Sequence, residues 1–229
     1  MILLIPGLLG ALGFAGWRLF YGGSESDPAA VIRRRMEENI SALESYHARY
    51  RTTTPAGEKG ETAYSVEIWK EVPHRYRLEM TTTAAGRQST VEVIICEHDR
   101  VYLYDSGSGG FLPAAGLTET GISTAFLEDY WHSICEAPLF DYMGEEGGSR
   151  HSYYIIEITP AEPHRYRVSE KVWLEKKTFL PVRIESFDLA GRITQVTVFE
   201  LLQLNPMLEA ALFEVDTIIS GECPGTSKR

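Results

Sequence analysis

Apolar and polar positions along this chain follow a helical period once, and then alternate with a period of two. The helical stripe lies within residues 28–44 and is formed by Ile32, Met36, Ile40 and Leu43. Asp27 and Pro28 come directly before it, an N-cap residue followed by proline at the first helical position. The pattern predicts one amphipathic helix over residues 28–44.

Strand-like alternation begins immediately after this helix. The apolar members of the successive runs are Tyr46, Ala48 and Tyr50; Tyr64, Val66 and Ile68; Tyr76, Leu78 and Met80; Val91, Val93 and Ile95; and Val101 and Leu103. Short segments with turn-forming residues separate the runs. The alternation predicts antiparallel strands that have one apolar face and one more polar face.

A second helix is predicted in the middle of the chain, over residues 122–135. Its apolar face is rich in aromatic residues and is formed by Phe126, Leu127, Tyr130, Trp131 and Ile134. The glycines of residues 144–149 predict a loop. Further strands are predicted over residues 152–159, 165–176, 180–188 and 192–203, with an edge strand at residues 212–215.

These elements together predict an α+β fold. It consists of one meandering antiparallel sheet of about ten strands, with a helix before it and a helix inserted into it. Twist makes a sheet of this size curl strongly, and the helices must cover its apolar face. Such a sheet encloses either a filled core or an apolar cavity, and both alternatives stay open at this point.

The pentapeptide Pro-His-Arg-Tyr-Arg occurs twice, at residues 73–77 and 163–167. In both copies the tyrosine has the parity of the apolar strand positions, and the two arginines have the opposite parity. Proline just before a strand removes no ladder hydrogen bond. We interpret both copies as strand entries, and a shared basic binding site is the alternative.

The net charge of the chain is -10 over 229 residues. This balance argues against a nucleic-acid partner, because neutralising phosphates requires a positive surface. It also disfavours attraction to an anionic membrane surface. Any attachment to a membrane must therefore be hydrophobic.

The N-terminal segment offers such an attachment. Residues 1–17 carry no charged side chain, and Arg18 is followed by three more apolar or aromatic residues. This length is at the short end of a membrane span. We interpret residues 1–21 as a hydrophobic anchor or a cleaved signal segment. Residues 22–27 are then a linker, residues 28–216 the folded domain, and residues 217–229 a disordered tail.

The candidate chemistry is sparse. The three cysteines, Cys96, Cys135 and Cys223, are compatible with free thiols or with a single disulfide. Two Cys/His pairs, Cys96 with His98 and Cys135 with His132, lack any accompanying CxxC motif, so we predict no metal site. The sequence contains neither a Gly-x-Ser-x-Gly elbow nor a complete phosphate-binding loop. We expect no enzymatic activity, catalytic residue or cofactor.

Three stretches resemble segments of the LolA/LolB-like superfamily of bacterial lipoprotein carriers. They are the early strand at residues 73–77; the hairpin formed by Val-Trp-Leu-Glu at 172–175 and Leu-Pro-Val-Arg at 180–183; and the closing segment 205–213, with Asn205-Pro206 before Leu212-Phe213. The order of the elements over residues 28–216 is similar as well. Relatives of that superfamily include RseB-type stress sensors and the germination lipoproteins of spore formers.

The resemblance implies an unclosed β-barrel whose apolar concave surface is covered by a helical lid. We expect the cavity to be lined by Tyr64, Val66, Ile68, Tyr76, Leu78, Met80, Val91, Val93 and Ile95. We expect the lid to consist of Phe126, Tyr130 and Trp131. Arg77 matches the position of an arginine that bonds to the lid in the carrier.

The function that the resemblance implies is non-enzymatic binding of lipid or of lipoprotein acyl chains outside the cytoplasm. The protein would be attached to the cell envelope by residues 1–21. The alternative is an interaction module similar to the germination lipoproteins. Such a module would bind an envelope protein, for example a cell-wall amidase of the spore cortex, and would carry no lipid.

Overall fold

The computed structural model describes residues 27–57, 60–84, 87–97, 100–105, 110–114, 126–148 and 151–215. Two helices are present in this part, α1 (Pro28–Ser41) and α2 (Leu127–Cys135). The strands are β1 (Ser45–Gly57), β2 (Gly60–Glu71), β3 (Arg75–Ala84), β4 (Arg87–Glu97), β5 (Arg100–Asp105), β6 (Gly110–Pro113), β7 (Leu139–Gly147), β8 (Ser152–Thr159), β9 (Ser169–Glu175), β10 (Pro181–Phe187) and β11 (Ile193–Leu204).

All eleven strands belong to one antiparallel, curved and unclosed sheet. Its order is β6-β5-β4-β3-β2-β1-β11-β10-β9-β8-β7, so two meanders meet where the first strand pairs with the last. The predicted α+β fold with an N-terminal and an inserted helix is confirmed. The centre of the sheet is therefore the β1–β11 seam, which joins residues about as far apart in sequence as the domain allows.

Asn205 fixes the two ends of the domain to each other. Its side-chain oxygen accepts hydrogen bonds from the amides of Glu44 (2.8 Å) and Ser45 (3.1 Å), and its side-chain nitrogen donates to the carbonyl of Ala42 at 2.8 Å. Its own φ is +52°, a left-handed conformation that asparagine adopts more readily than most residues. The residue thus closes both the α1–β1 connection and the end of β11.

Helix α1 begins as the sequence predicts and ends earlier. The Asp27 side chain accepts a hydrogen bond from the amide of Ala29 at 3.0 Å, which satisfies one of the free donors of the first turn. Ile32 and Met36 are fully buried. The helix ends at Ser41. Directly after it, the Asn205 side chain binds the carbonyl of Ala42 and the amides that lead into β1.

Two predictions about local structure are wrong. Residues 144–147 belong to β7, where a register shift between Tyr142 and Gly144 accommodates a φ of +125° at Gly144. Residues 212–215 form no strand, because the chain makes a short 3-10 helix over Ala210–Leu212 instead. Phe213, which follows that helix, is fully buried.

The core lies between one face of the sheet and the two helices. The largest fully buried members of this cluster are Trp131, Tyr46, Tyr76, Phe126, Ile32, Met36, Ile68, Ile134, Ile156 and Ile158. Burying such a side chain contributes about 1.5–3 kcal/mol. We call the face of the sheet that bears this cluster the concave face, and the opposite face the outer face.

The outer face has its own electrostatic cluster around Glu67. Its carboxylate accepts hydrogen bonds from His47 Nε2 at 2.8 Å and from Arg49 Nη2 at 2.7 Å. Burial alone would raise the pKa of Glu67, but the hydrogen bonds from His47 and Arg49 outweigh it and lower the pKa to about 2.

This depressed pKa makes stability depend on acid. The folded pKa lies below the ordinary value of 4.5, so the stabilisation is present above about pH 4.5 and is lost as the pH falls toward 2. We expect Glu67→Gln to lower the free energy of unfolding by about 1–2 kcal/mol at pH 7, and the difference from wild type to vanish near pH 2. Urea unfolding at several pH values measures it. The exposed carboxylate variant Glu92→Gln should show no such difference, and an equal response of both variants would contradict the assignment.

Candidate functional site

A cavity of about 760 Å³ opens on the concave face, over the β1–β11 seam. One wall comes from β1 and β11, another from β9, β10 and the residues between β8 and β9, and α2 covers one end. Its apolar inner end is formed by Tyr46, Ala48, Ile68, Phe126 and Leu127. The sequence left open whether the sheet encloses a filled core or an apolar cavity. The structure contains both, a packed core and a cavity beside it.

The N-terminal end of α2 is held against the sheet by polar contacts in an otherwise apolar environment. Lys70 of β2, which is only 3% exposed, forms an ion pair with Glu128 and lies 3.5 Å from the centre of the Phe126 ring. The amide of Leu127 donates a hydrogen bond to the Tyr46 hydroxyl at 3.2 Å. These contacts fix the helix where it forms the end wall of the cavity.

A second polar group, centred on Glu170, joins α2 to the opposite wall. The Glu170 carboxylate accepts hydrogen bonds from Arg167 at 2.8 and 2.9 Å, from the Ser186 hydroxyl at 2.9 Å and from the Tyr130 hydroxyl at 3.3 Å. Glu170 is 2% exposed, so this set of partners is what makes its charge tolerable in the interior.

Two tyrosine hydroxyls near α2, those of Tyr46 and Tyr130, are held in their neutral form. Burial, with the nearby Glu128 carboxylate as the next contribution, raises the pKa of Tyr46 well above its ordinary value. Burial and then Glu170 do the same for Tyr130. These two side chains therefore serve as hydrogen-bonding and packing groups.

The two Pro-His-Arg-Tyr-Arg copies adopt different structures. The first enters β3, as predicted, and its Tyr76 is fully buried in the core. The second does not enter a strand, since His164 and Arg167 pair with each other across a tight turn and β9 begins only at Ser169. Its Tyr166 is 53% exposed and lines the cavity mouth. The prediction for the second copy is wrong.

Six of the nine predicted cavity residues lie on the concave face. Val66, Ile68, Tyr76 and Leu78 belong to the core cluster, and Tyr64 and Met80 pack against it. Ile68 also lines the cavity. The structure thus brings these six together, mostly as core beneath and beside the space rather than as its wall.

The remaining three lie on β4, and two of them, Val93 and Ile95, do not join this group. Val93 and Ile95 are buried but lie outside the cluster, in register with Glu79 and Arg77, whereas their neighbours Ile94 and Cys96 belong to it. The side chain of Val91 lies outside the described part of the structure.

The predicted lid residues all lie on or beside α2. Phe126 and Trp131 are fully buried, and Phe126 and Tyr130 line the cavity. Arg77, predicted to contact the lid, lies on the outer face instead. There it binds the Glu79 carboxylate and donates to the carbonyl of Leu212 at 3.4 Å. It therefore fastens the C-terminal segment to β3.

Most of the residues that line the cavity wall are not among those predicted from the sequence. Tyr50, Thr52, Gln195, Thr197 and Phe199 lie along the β1–β11 seam. The period-two pattern of β1 was a usable signal, because Tyr46, Ala48 and Tyr50 share a face and Thr52 continues it. The pattern does not show that β11 is the strand that pairs with β1.

The cysteine and metal chemistry is limited. Cys96 and Cys135 are not joined by a disulfide, and Cys223 lies outside the described residues. Burial raises the pKa of the Cys135 thiol to about 11, which keeps it protonated. Over the described ranges, no three His, Cys, Asp or Glu side chains converge as a metal site would require.

The predicted membrane segment cannot be compared with the structure. Residues 1–26 lie outside the described residues. Within the described part, neither helix is long and apolar enough to cross a membrane.

Comparison with known proteins identifies the fold. No family model and no curated protein matches the sequence. The structure is similar to LprF from Mycobacterium bovis, with a TM-score of 0.52 and 10% identity over 81% of this chain and 97% of that chain. It is also similar to a chain of the Pseudomonas aeruginosa MucA/MucB complex, with a TM-score of 0.50 and 15% identity over 82% of this chain. This chain spans 61% of that one.

A LolA superfamily protein from Nitrosomonas europaea also matches, with 14% identity and a TM-score of 0.37, over 83% of this chain and 99% of that chain. At 10% and 15% identity, the similarity to LprF and to the chain of the MucA/MucB complex shows a shared fold and nothing finer.

Proposed function

We propose that this protein is a non-enzymatic binding protein of the cell envelope that holds the apolar chain of a lipid, or of a lipid-modified protein, in its concave cavity. The observation that carries the proposal is the cavity itself. Its volume of about 760 Å³ falls in the range of roughly 300–1,000 Å³ that is usual for ligand sites, and its inner end is apolar.

The arrangement of the walls favours a chain-like ligand. The apolar positions follow the direction of β1, from Tyr46 through Ala48 to Tyr50, and Phe199 of β11 continues the strip beside Tyr50 at a ring-centroid distance of 5.4 Å. An elongated apolar group could lie along this strip and reach the α2 end. Removing its surface from water would supply the binding free energy.

The lining groups support binding rather than catalysis. Burial keeps the hydroxyls of Tyr46 and Tyr130 neutral, and the Glu170 carboxylate is bonded to Arg167, Ser186 and Tyr130. The two carboxylates of the described lining, Glu170 and Asp188, are each bonded to an arginine, so neither is available as a general base. We further propose that residues 1–21 attach the domain to a membrane and that the domain lies on its extracytoplasmic side.

Lipid extraction tests the proposed function. The full-length chain is purified from bacterial membranes in mild detergent, extracted with organic solvent, and the extract is analysed by mass spectrometry against the detergent blank. We expect acyl lipid in about equimolar amount to wild-type protein. The variant Gln195→Trp, which places a large ring in the cavity mouth, should retain much less.

The control variant is Val198→Trp, which adds the same ring to the outer face of the same strand, where Val198 is 40% exposed. It should retain lipid as wild type does. Extracts free of acyl lipid, or equal lipid in both variants, would contradict the proposal. Lipid-free extracts would favour the alternative, an interaction module for an envelope protein such as a cell-wall amidase.

A further inference from the structure

The wall of the cavity changes from apolar to polar along the β1–β11 seam. Nearest α2 it presents Tyr46 and Ala48, then the paired rings of Tyr50 and Phe199. One step further along the register the wall consists of Thr52 opposite Thr197, and Gln195 follows. The β1–β11 wall is therefore amphipathic along the seam, with its polar part farther from α2.

The polar part of this wall carries no charge. The hydroxyls of Thr52 and Thr197 are hydrogen-bonded to each other at 2.9 Å, and the Gln195 side-chain nitrogen donates to the Thr197 hydroxyl at 3.5 Å. Hydroxyl and amide groups can each donate and accept, so this wall suits a ligand group with mixed hydrogen-bonding capacity. We call these three residues the polar belt.

The charged residues that line the cavity are matched to one another. Arg167 is bonded to Glu170, and Arg192 donates to Asp188 at 2.9 Å. The amide of Tyr166 donates a hydrogen bond to Nδ1 of His164 at 3.3 Å. Among the described lining residues, the charges of the two arginines are matched by those of the two carboxylates. An anionic head group would have to compete with Glu170 or Asp188 for its arginine.

From these observations we infer that the cavity selects amphiphiles with an uncharged, hydrogen-bonding head group, such as a glycerol ester or an amide, over amphiphiles with an anionic head. The tail lies against the apolar inner end, and the head lies at the polar belt. This inference rests on the proposed function, because it assumes that an apolar chain occupies the cavity.

A pair of matched probes tests the head-group preference. Monooleoylglycerol and oleoyl lysophosphatidic acid have the same tail and glycerol ester and differ by the phosphate. Each is titrated, below its micelle concentration, against full-length protein loaded with the neutral dye N-phenylnaphthylamine, whose fluorescence reports occupancy. We expect monooleoylglycerol to displace the dye at a concentration at least about tenfold lower, the ratio that 1.4 kcal/mol of discrimination gives.

The double variant Thr52→Val with Thr197→Val assigns the preference to the polar belt. Replacing both hydrogen-bonded partners by apolar groups of the same shape leaves the fold nearly unaffected. We expect the variant to lose most of the preference for monooleoylglycerol, measured as the ratio of the two displacement concentrations. The control Thr53→Val changes the neighbouring position of β1, whose side chain lies on the outer face, and should keep it.

Each outcome decides a separate point. If neither lipid displaces the dye, the result contradicts the proposed function. Displacement by both lipids at equal concentration, or better by the phosphate, would overturn this inference and leave the proposed function intact. A preference that survives in the double valine variant would overturn the role of the polar belt.

The same uncharged head chemistry occurs in free neutral lipids and in the acylated end of lipid-modified proteins. A competition with an N-oleoylated peptide of uncharged sequence separates these sources. Stronger displacement by monooleoylglycerol identifies a free lipid, and stronger displacement by the peptide identifies a protein-borne chain. Both outcomes support the uncharged head, whereas displacement by lysophosphatidic acid alone would overturn it.

Discussion

Replacing Lys70 with alanine is expected to lower the free energy of unfolding by about 3–5 kcal/mol, the usual loss when one partner of a buried ion pair is removed. Lys70 is 3% exposed and forms its pair with Glu128, whose side chain is 15% exposed. The alanine variant would leave the mostly buried Glu128 carboxylate near the Tyr46 hydroxyl without this cation. It would also remove the cation that lies over the Phe126 ring.

The measurement is urea unfolding followed by tryptophan fluorescence. The exposed lysine variant Lys177→Ala serves as control and should stay within about 0.5 kcal/mol of wild type. The double variant Lys70→Met with Glu128→Leu removes both charges and should recover most of the lost stability. A loss below about 1 kcal/mol for Lys70→Ala would show that the pair is solvated, as surface pairs are.

This ion pair illustrates which features a sequence reveals. The alternation of β2 was readable as Tyr64, Val66 and Ile68, and the next position on that face is Lys70. A lysine at the end of an apolar strip normally indicates the edge of the buried surface. Here the strip continues through it, because Glu128 arrives from a helix 58 positions later, and no local pattern announces that contact.

The prediction of which β4 side chains face the core differs from the structure for another reason. Residues 93–96 are apolar without interruption, so a period of two cannot tell which side chains point toward the core. Both faces of this strand are covered: Ile94 and Cys96 face the core cluster, and Ile95 is fully buried on the face where Arg77 holds the C-terminal segment. Burial on two faces produces continuous apolar runs, which periodicity alone does not resolve.

The repeated pentapeptide shows how far tertiary context can override identical local sequence. At residues 73–77 the flanking strands β2 and β4 offer hydrogen-bonding partners on both sides, and the segment extends. At residues 163–167 the segment pairs with itself, and Arg167 turns to the buried Glu170. Most of the other element types were predictable from the pattern. The position of the cavity was not, because it depends on the pairing of β1 with a strand roughly 145 residues later.

Replacing Phe199 with glutamate is expected to weaken binding of an oleoyl-tailed neutral lipid by roughly 100-fold or more. Phe199 lies in the cavity wall beside Tyr50, between the apolar inner end and the polar belt. The substitution removes an aromatic contact worth about 1.5–3 kcal/mol and places a carboxylate where the tail must pass. Tenfold in affinity corresponds to 1.4 kcal/mol, so the two effects together exceed two factors of ten.

The matched control is Val198→Glu, one residue earlier on the same strand. Val198 points to the outer face and is 40% exposed, so its carboxylate remains in water and leaves the cavity unchanged. Dye displacement measures affinity in both variants, and circular dichroism verifies that both are folded. Equal affinity in the two variants would place the bound chain elsewhere than on the β1–β11 seam. A selective loss in Phe199→Glu would require the chain to lie along that seam, because the two variants differ only in the face of the sheet that carries the charge.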